Sequence, residues 1–349
     1  MSNQLKFGIV GAGRIAQAYA EAFEGLEAAR VVAVSDVNHE AAQALAERLH
    51  CRAYSSHTAM AQELSLDAVV VCTPPVTHRD ICLELFERGI HVLCEKPLSL
   101  NSANASLMIE TARRYGVTLM MASKFRYAED VIRARSLVAS GTIGEVVLLD
   151  NAFTSRVDMG SRWNSVPEIS GGGVLIDNGT HSVDLMRYFL GALSEVHVVE
   201  GRRSQGLDVE ETVRLCVRND EGVLGNIDLS WSIDKQLSGF LNIYGTEGII
   251  SVGWKESRYR LTSGRDWIVF GGGYDKVQSF RSQINNFAEV ILGTGEPLTT
   301  PEDAMASVQV IEAAYAGLCN CRWTKVEPSP AAVIAGRTVE FVTEADTIA

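Results

Sequence analysis

An amine, a carboxylate and an imidazole can together take the proton from a hydroxyl while its carbon is oxidised, and this sequence offers them as Lys96, Asp177 and His181. A neutral imidazole, with an ordinary pKa of about 6.5, serves as a general base. An ammonium stabilises the charge developing on the oxygen. A carboxylate binds neighbouring hydroxyls or fixes the imidazole. Lys96 sits in Glu95-Lys96-Pro97, directly after the apolar run Ile90–Cys94, and Pro97 holds it extended and permits a cis bond. Asp177 and His181 are four residues apart, with Asp184 three further on. A helix beginning near Asn178 would put Asp177 at the cap and His181 in the first turn, facing one crevice. The glycine run Gly171-Gly172-Gly173 before them suggests backbone that approaches a ligand. Each residue also has a plainer reading: Lys96 in a surface turn, Asp177 as a simple N-cap, His181 as a packed histidine.

Proton transfer of this kind needs a redox partner, and the N-terminus carries a site for one. Gly11-Ala12-Gly13-Arg14-Ile15-Ala16 follows a short apolar strand and opens a helix, the G-x-G-x-x-A pattern of dinucleotide sites. Gly11 permits the tight turn, Gly13 lets backbone approach a diphosphate, and Ala16 allows close helix–strand packing. The diphosphate then rests on free N–H groups at the positive helix end. Asp36 lies 20 residues beyond Ala16, at the tip of the second strand. A carboxylate there accepts the ribose hydroxyls and repels a 2′-phosphate, so NAD is expected in preference to NADP; the alternative is a solvated turn aspartate. Thr73-Pro74 follows another strand and is expected to border the nicotinamide half, and Glu95 and Lys96 are expected among the cofactor contacts. His78 either joins them or sits in the first turn of the next helix.

The elements that must position these groups read as two kinds. Over the first 120 or so residues, short apolar strands (Phe7–Val10, Val31–Ser35, Ala68–Cys72, Ile90–Cys94, Val117–Met121) alternate with helices (Ile15–Phe23, Ala41–Leu49, Ile81–Arg88, Ala103–Arg114). This rhythm predicts a doubly wound parallel sheet with helices on both faces, an α/β Rossmann domain over residues 1–123. Beyond it the spacing predicts a helix at Ala128–Ala139, a strand at Glu145–Val157 and a helix near Ser182–Phe189. Strands follow at Val196–Glu200, Thr212–Val217, Val223–Leu229, Phe240–Tyr244 and Gly248–Val252, then helices at Val277–Leu292 and Glu302–Gly317. Residues 124–349 thus read as an α+β domain with an open, mainly antiparallel sheet and helices on one side. The tail beyond Pro328 reads as an extra strand or an arm.

Composition narrows the functions. With 31 basic and 43 acidic side chains the formal net charge is −12, which disfavours nucleic acid. No apolar run approaches the roughly 20 residues of a membrane span, and Met1–Lys6 carries no secretory pattern. The seven cysteines are scattered, and Cys319 and Cys321 lack zinc-ligand spacing. A reduced, cytoplasmic protein without disulfides or metal is expected.

Taken in order, Gly11–Ala16, Thr73-Pro74 with His78, Glu95-Lys96-Pro97, and Gly171–Gly173 through Asp177 and His181 resemble the Gfo/Idh/MocA oxidoreductase family, named for glucose–fructose oxidoreductase, inositol dehydrogenase and a rhizopine-catabolism protein. The resemblance covers residues 5 to about 325. It implies Lys96, Asp177 and His181 as the catalytic group. It also implies a second domain that binds substrate and packs its open sheet face on another subunit, giving a homodimer or homotetramer. Ser123-Lys124-Phe125-Arg126-Tyr127 stands where the family has an Asn-Arg-Arg-like stretch, a departure that bears on Arg126 as a substrate contact. Arg156 and Trp163, in a polar stretch with Asp158, Arg162 and Asn164, are further candidates, Trp163 being read equally as core. The implied reaction is hydride transfer between NAD and a secondary alcohol or ketone of a sugar, polyol or sugar derivative. Two rivals share the fold: an NAD-assisted glycosidase that oxidises its sugar transiently, and a non-catalytic NAD-binding regulator, which would not need Lys96 and His181 together.

Overall fold

The computed structural model describes residues 4–320 and 322–327. Its first half is a parallel sheet in the order β3-β2-β1-β4-β5-β6. The chain runs β1 (Leu5–Val10), α1 (Arg14–Phe23), β2 (Ala29–Ser35), α2 (His39–Arg48), β3 (Arg52–Tyr54), α3 (His57–Glu63), β4 (Ala68–Val71), α4 (His78–Phe86), β5 (His91–Cys94), α5 (Ser102–Tyr115) and β6 (Leu119–Met121). Strand order reverses between β1 and β4, and ligands of such sheets bind outside the carboxyl ends at that point. The loops carrying Gly11–Gly13, Thr73 and Glu95-Lys96 all emerge there. The strands are apolar on both faces because helices cover both; all four residues of β4 are fully buried. The β3–α3 pair was not anticipated: β3 is three residues long and α3 seven, too short for a clear period.

The second half contains α6 (Glu129–Ala139), β7 (Val146–Thr154), α7 (Pro167–Ser170), α8 (Val174–Leu190), β8 (Leu193–Glu200), β9 (Thr212–Asn219), β10 (Leu224–Ser230), β11 (Gly239–Gly245), β12 (Gly248–Gly253), β13 (Ser257–Leu261), β14 (Ile268–Gly271), α9 (Lys276–Ile291), α10 (Pro301–Asn320) and β15 (Thr324–Lys325). The sheet has nine strands in the order β14-β13-β12-β11-β7-β10-β9-β8-β15. It is antiparallel except where β10 pairs with β7. Its buried face, with Leu149, Val213, Leu215, Val217 and Ile227, packs on α8 and α10, while alternate residues such as Val147, Val199 and Leu224 lie exposed on the other face. Strands β13 and β14 escaped the sequence reading because their residues are mostly half-buried or exposed, which removes the alternation.

The two halves interlock. Helix α9 lays Phe280, Ile284 and Phe287 onto the first sheet, beside Phe7, Tyr19 and Phe23, with the Tyr19 and Phe280 rings 4.6 Å apart. The start of α10 adds Ala304, Met305 and Val308 to the core on the opposite face of that sheet. Two elements assigned by sequence order to the second domain therefore complete the core of the first. Residues beyond Pro328, where a strand or arm was expected, lie outside the described residues.

Candidate active site

The first wall of the site is the turn between β1 and α1. Gly11 has φ +94°, and a Cβ on it would stand 2.8 Å from the Cys72 backbone, so only glycine fits. Gly13, the exposed N-cap of α1, has nothing within 4 Å of a Cβ position. No side chain caps α1 and its first turn has no acidic residue, leaving free N–H groups beside the cavity that Gly13, Arg14 and Ile15 border. This uncapped, open helix end fits a dinucleotide diphosphate. Ala16 is fully buried, as close packing of α1 requires. The Asp36 carboxylate, at the end of β2, accepts the Ala12 N–H at 2.6 Å and the Asn38 N–H at 2.7 Å. It therefore braces the glycine turn, a role its spacing alone did not disclose.

Thr73 borders the cavity and Pro74, half-buried, leads into a tight turn behind it. His78 does not reach the cavity. It is fully buried, with Nδ1 2.9 Å from the Pro97 carbonyl and Nε2 2.9 Å from the Thr73 carbonyl; as a neutral ring it donates its one N–H to one of them and packs between the two loops. Burial pushes its pKa below the usual histidine value. The expectation of His78 as a cofactor contact is corrected accordingly: its place in the first turn of α4 points it inward.

Lys96, Asp177 and His181 all line one cavity of about 580 Å³. The Lys96–Pro97 bond is cis. Lys96 Nζ donates to Asp177 Oδ1 at 2.5 Å and to the Asp177 carbonyl at 2.9 Å. Helix α8 starts at Val174, not near Asn178, so Asp177 is no cap; it lies inside the first turn, one turn before His181. The glycine run also has a different cause from the one expected. A Cβ on Gly172 would fall 1.9 Å from the Tyr315 hydroxyl and one on Gly173 would fall 2.1 Å from the Glu210 carbonyl. Protein, not ligand, demands the missing side chains. Glu210 Oε1 accepts N–H groups of Gly173 and Leu175 and the Tyr315 hydroxyl, at 2.8, 3.1 and 2.7 Å. This carboxylate, 37 residues from Gly173, caps α8 and thereby sets Asp177 and His181.

His181 is nearly buried, and burial, reinforced by Lys96 and Lys124, drives its pKa well below the usual value, so the imidazole is neutral. Its ring meets the Phe125 edge at 5.1 Å between centroids. Glu95 is pushed up by burial, opposed by Lys96 and Lys124, and it accepts the Tyr19 hydroxyl at 2.9 Å and the Lys96 N–H at 3.1 Å. Lys124, unassigned from sequence, also borders the cavity, with Nζ 5.2 Å from the Phe125 ring centroid. Trp231 and Trp254 line it too, although nothing in their local sequence marks them.

Two of the three further substrate candidates lie elsewhere. Arg126 is 3% exposed and forms ion pairs with Asp184 and Asp303, both at 2.9 Å. It joins α8 to the start of α10 and does not face the cavity. Arg156 is exposed and is not among the residues that line the cavity. Trp163 does line the cavity and is 41% exposed, which rules out the core reading. Among the described residues no three His, Cys, Asp or Glu side chains converge as a metal site, and no helix is long and apolar enough to cross a membrane.

Comparison with known proteins bears on this arrangement. Residues 5–123 match the model of an oxidoreductase family with an NAD-binding Rossmann fold, and residues 131–251 match that of the GFO/IDH/MocA C-terminal domain. The chain is 27% identical over 338 residues to myo-inositol 2-dehydrogenase of Thermotoga maritima, covering 93% of this chain and 99% of that protein. It is 29% identical over 321 residues to D-xylose 1-dehydrogenase (NADP(+)) 2 of Haloferax volcanii, covering 89% and 96%. The crystal structure of GenD2, from gentamicin A biosynthesis, in complex with NAD superimposes with a TM-score of 0.83 at 27% identity, covering 94% of this chain and 98% of that one.

Proposed function

Because this chain belongs to the Gfo/Idh/MocA oxidoreductase family, we infer that it is a dehydrogenase acting on a secondary alcohol of a sugar or polyol, with Lys96, Asp177 and His181 as its catalytic group. The observation that carries this reading is the meeting of those three side chains in one cavity bordered by the uncapped start of α1. A nicotinamide dinucleotide, when bound, supplies the hydride acceptor. Gly13 and the first N–H groups of α1 would hold its diphosphate, Asp36 would hold the ribose hydroxyls, and Thr73 and Glu95 would line the rest of its site.

The protein's own task is the proton and the pose. His181, kept neutral, accepts the hydroxyl proton at a ring nitrogen. Lys96 donates to the reacting oxygen and offsets its developing charge. Asp177, held by Lys96 at 2.5 Å, fixes that ammonium and offers its other oxygen to a substrate hydroxyl. Trp163, Trp231 and Trp254 give apolar faces for a sugar ring. The Asp36 carboxylate favours NAD over NADP. Relatives named for inositol and xylose support the substrate class. Assembly as a homodimer or homotetramer through the open sheet face, in the cytoplasm, belongs to the same reading.

The test is a screen of inositols, aldoses, anhydrosugars and sugar derivatives with NAD and with NADP, read as reduced cofactor formed. Stoichiometric NADH with at least one class is expected. Substrate consumption without net NADH would favour the glycosidase reading, and inertness across the panel with NAD still bound would favour the regulator.

A further inference from the structure

The charges lining the cavity do not balance. Arg14, Lys96, Lys124, Arg162 and Lys276 face it, against Glu95 and Asp177. Lys96 is paired with Asp177, and Glu95 is engaged by the Tyr19 hydroxyl and the Lys96 N–H. Arg14 stands at the start of α1, where a dinucleotide diphosphate would meet it. Among the described residues Lys124, Arg162 and Lys276 form no ion pair. In a chain of formal net charge −12, such a local surplus of cations does not follow from composition.

Lys124 is the most constrained of the three. It is half-buried, with its ammonium 5.2 Å from the Phe125 ring centroid and 5.7 Å from that of Phe280. Burial pulls its pKa down to about 8; Lys96 and Lys276 add to the shift, and Glu95 and Asp177 oppose it. A partly desolvated ammonium with like-charged neighbours and no backbone or side-chain acceptor among the described residues gains from an anion beside it. The Phe125 ring that Lys124 packs against also meets the His181 ring, at 5.1 Å between centroids, which sets the ammonium near the reacting end of the cavity.

We propose that Lys124, with Arg162 and Lys276 lining the same cavity, binds an anionic group of the substrate, so that the enzyme prefers a sugar or polyol carrying a carboxylate or a phosphate ester over its neutral counterpart. This rests on the sugar-or-polyol reading above and narrows it. A carboxylate or phosphate supplies the missing counter-ion through charge-assisted hydrogen bonds.

The test titrates the enzyme–NADH complex calorimetrically with matched sets: an aldohexose, its uronate and its 6-phosphate, in several stereochemical series, each also assayed for turnover with NAD. At least one anionic form should bind about tenfold or more tighter than the neutral one, the effect of a charge-assisted hydrogen bond. The ratio of uronate to phosphate ester identifies which anion the site takes. Lys124→Met should nearly abolish the preference, Lys124→Arg should retain it, and Arg162→Gln, on an exposed loop, should weaken it. Equal binding of neutral and anionic forms would overturn the proposal, as would a Lys124→Met protein that loses NAD affinity but keeps the preference, since Lys124 would then serve the dinucleotide. An ionic preference without any reduced cofactor would support the anion site while contradicting the dehydrogenase reading.

Discussion

A buried imidazole whose neighbours are two ammonium groups is poorly suited to holding a proton and well suited to passing one on. Replacing His181 with Ala should lower kcat by about 10²–10⁴-fold while leaving the Kd for NAD unchanged, because a positioned base contributes on that order. Stopped-flow turnover with fluorescence titration of NADH separates the two effects, and unchanged turnover would remove His181 from the chemistry. Asp36→Asn keeps an acceptor for the Ala12 N–H but removes the charge. It should raise NADP use relative to NAD by about tenfold or more, since unit charges about 4 Å apart repel by about 1–4 kcal/mol near a surface. The alkaline side of the pH profile belongs to Lys124. Its ammonium is lost as pH rises through about 8, so kcat/KM for an anionic substrate should fall there and a Lys124→Met enzyme should show no such limb. Glu95, Lys96, Asp177, His181 and Lys276 share the cavity with it and are present in both proteins. Residue types at the right order were legible here: an ammonium after a buried strand and an Asp/His pair four apart. Lys124 was not, because a lysine among Ser, Phe and Arg has no local pattern that separates a cavity wall from a surface turn.

Helix α8 carries the site, and what fixes it lies far from it in sequence. The helix has no cap of its own at Gly173; Glu210 and Tyr315 supply one from other elements. Glu210→Gln should destabilise the protein by about 1–3 kcal/mol, the cost of weakening buried hydrogen bonds to a carboxylate. Denaturant unfolding would measure it, and an unchanged midpoint would contradict the capping role. The Arg126 network is a second brace. Removing the guanidinium in Arg126→Met leaves Asp184 buried without its partner and should cost about 3–5 kcal/mol. A variant that instead folds normally and only raises KM would restore Arg126 as a substrate contact. These dependencies explain why the sequence misplaced the start of α8. Three glycines in a row read as loop, and the packing of Tyr315 and Glu210 against them cannot be inferred from the run itself. The strands, by contrast, were legible because β4 is apolar throughout, β5 is apolar after His91, and β9 and β10 alternate between buried and less buried residues.

At the scale of the molecule, the two sheets are joined by helices that return. The alternating rhythm of the first 120 or so residues disclosed the Rossmann fold, but α9 and α10 carry the same apolar spacing whichever sheet they cover, so their allegiance to the first core was invisible. One consequence is thermodynamic. His78 and His181 are neutral in the folded state with lowered pKa values. The unfolded chain therefore binds more protons below about 6.5, and stability should decline as pH falls through that value. The raised carboxyl of Glu95 acts with the opposite sign, so the informative quantity is the difference between variants. His78→Asn should flatten the dependence of the unfolding midpoint between about pH 7.5 and about pH 5.5, and an equally steep dependence would contradict the assignment.

Hydride loss from a carbinol carbon while His181 takes the proton is checked with a substrate from the screen deuterated at that carbon. One deuterium should appear on the reduced nicotinamide for each substrate oxidised, and His181→Ala should lose most of that transfer. Reduced cofactor without deuterium, or a His181→Ala enzyme that transfers it at the native rate, would contradict the account.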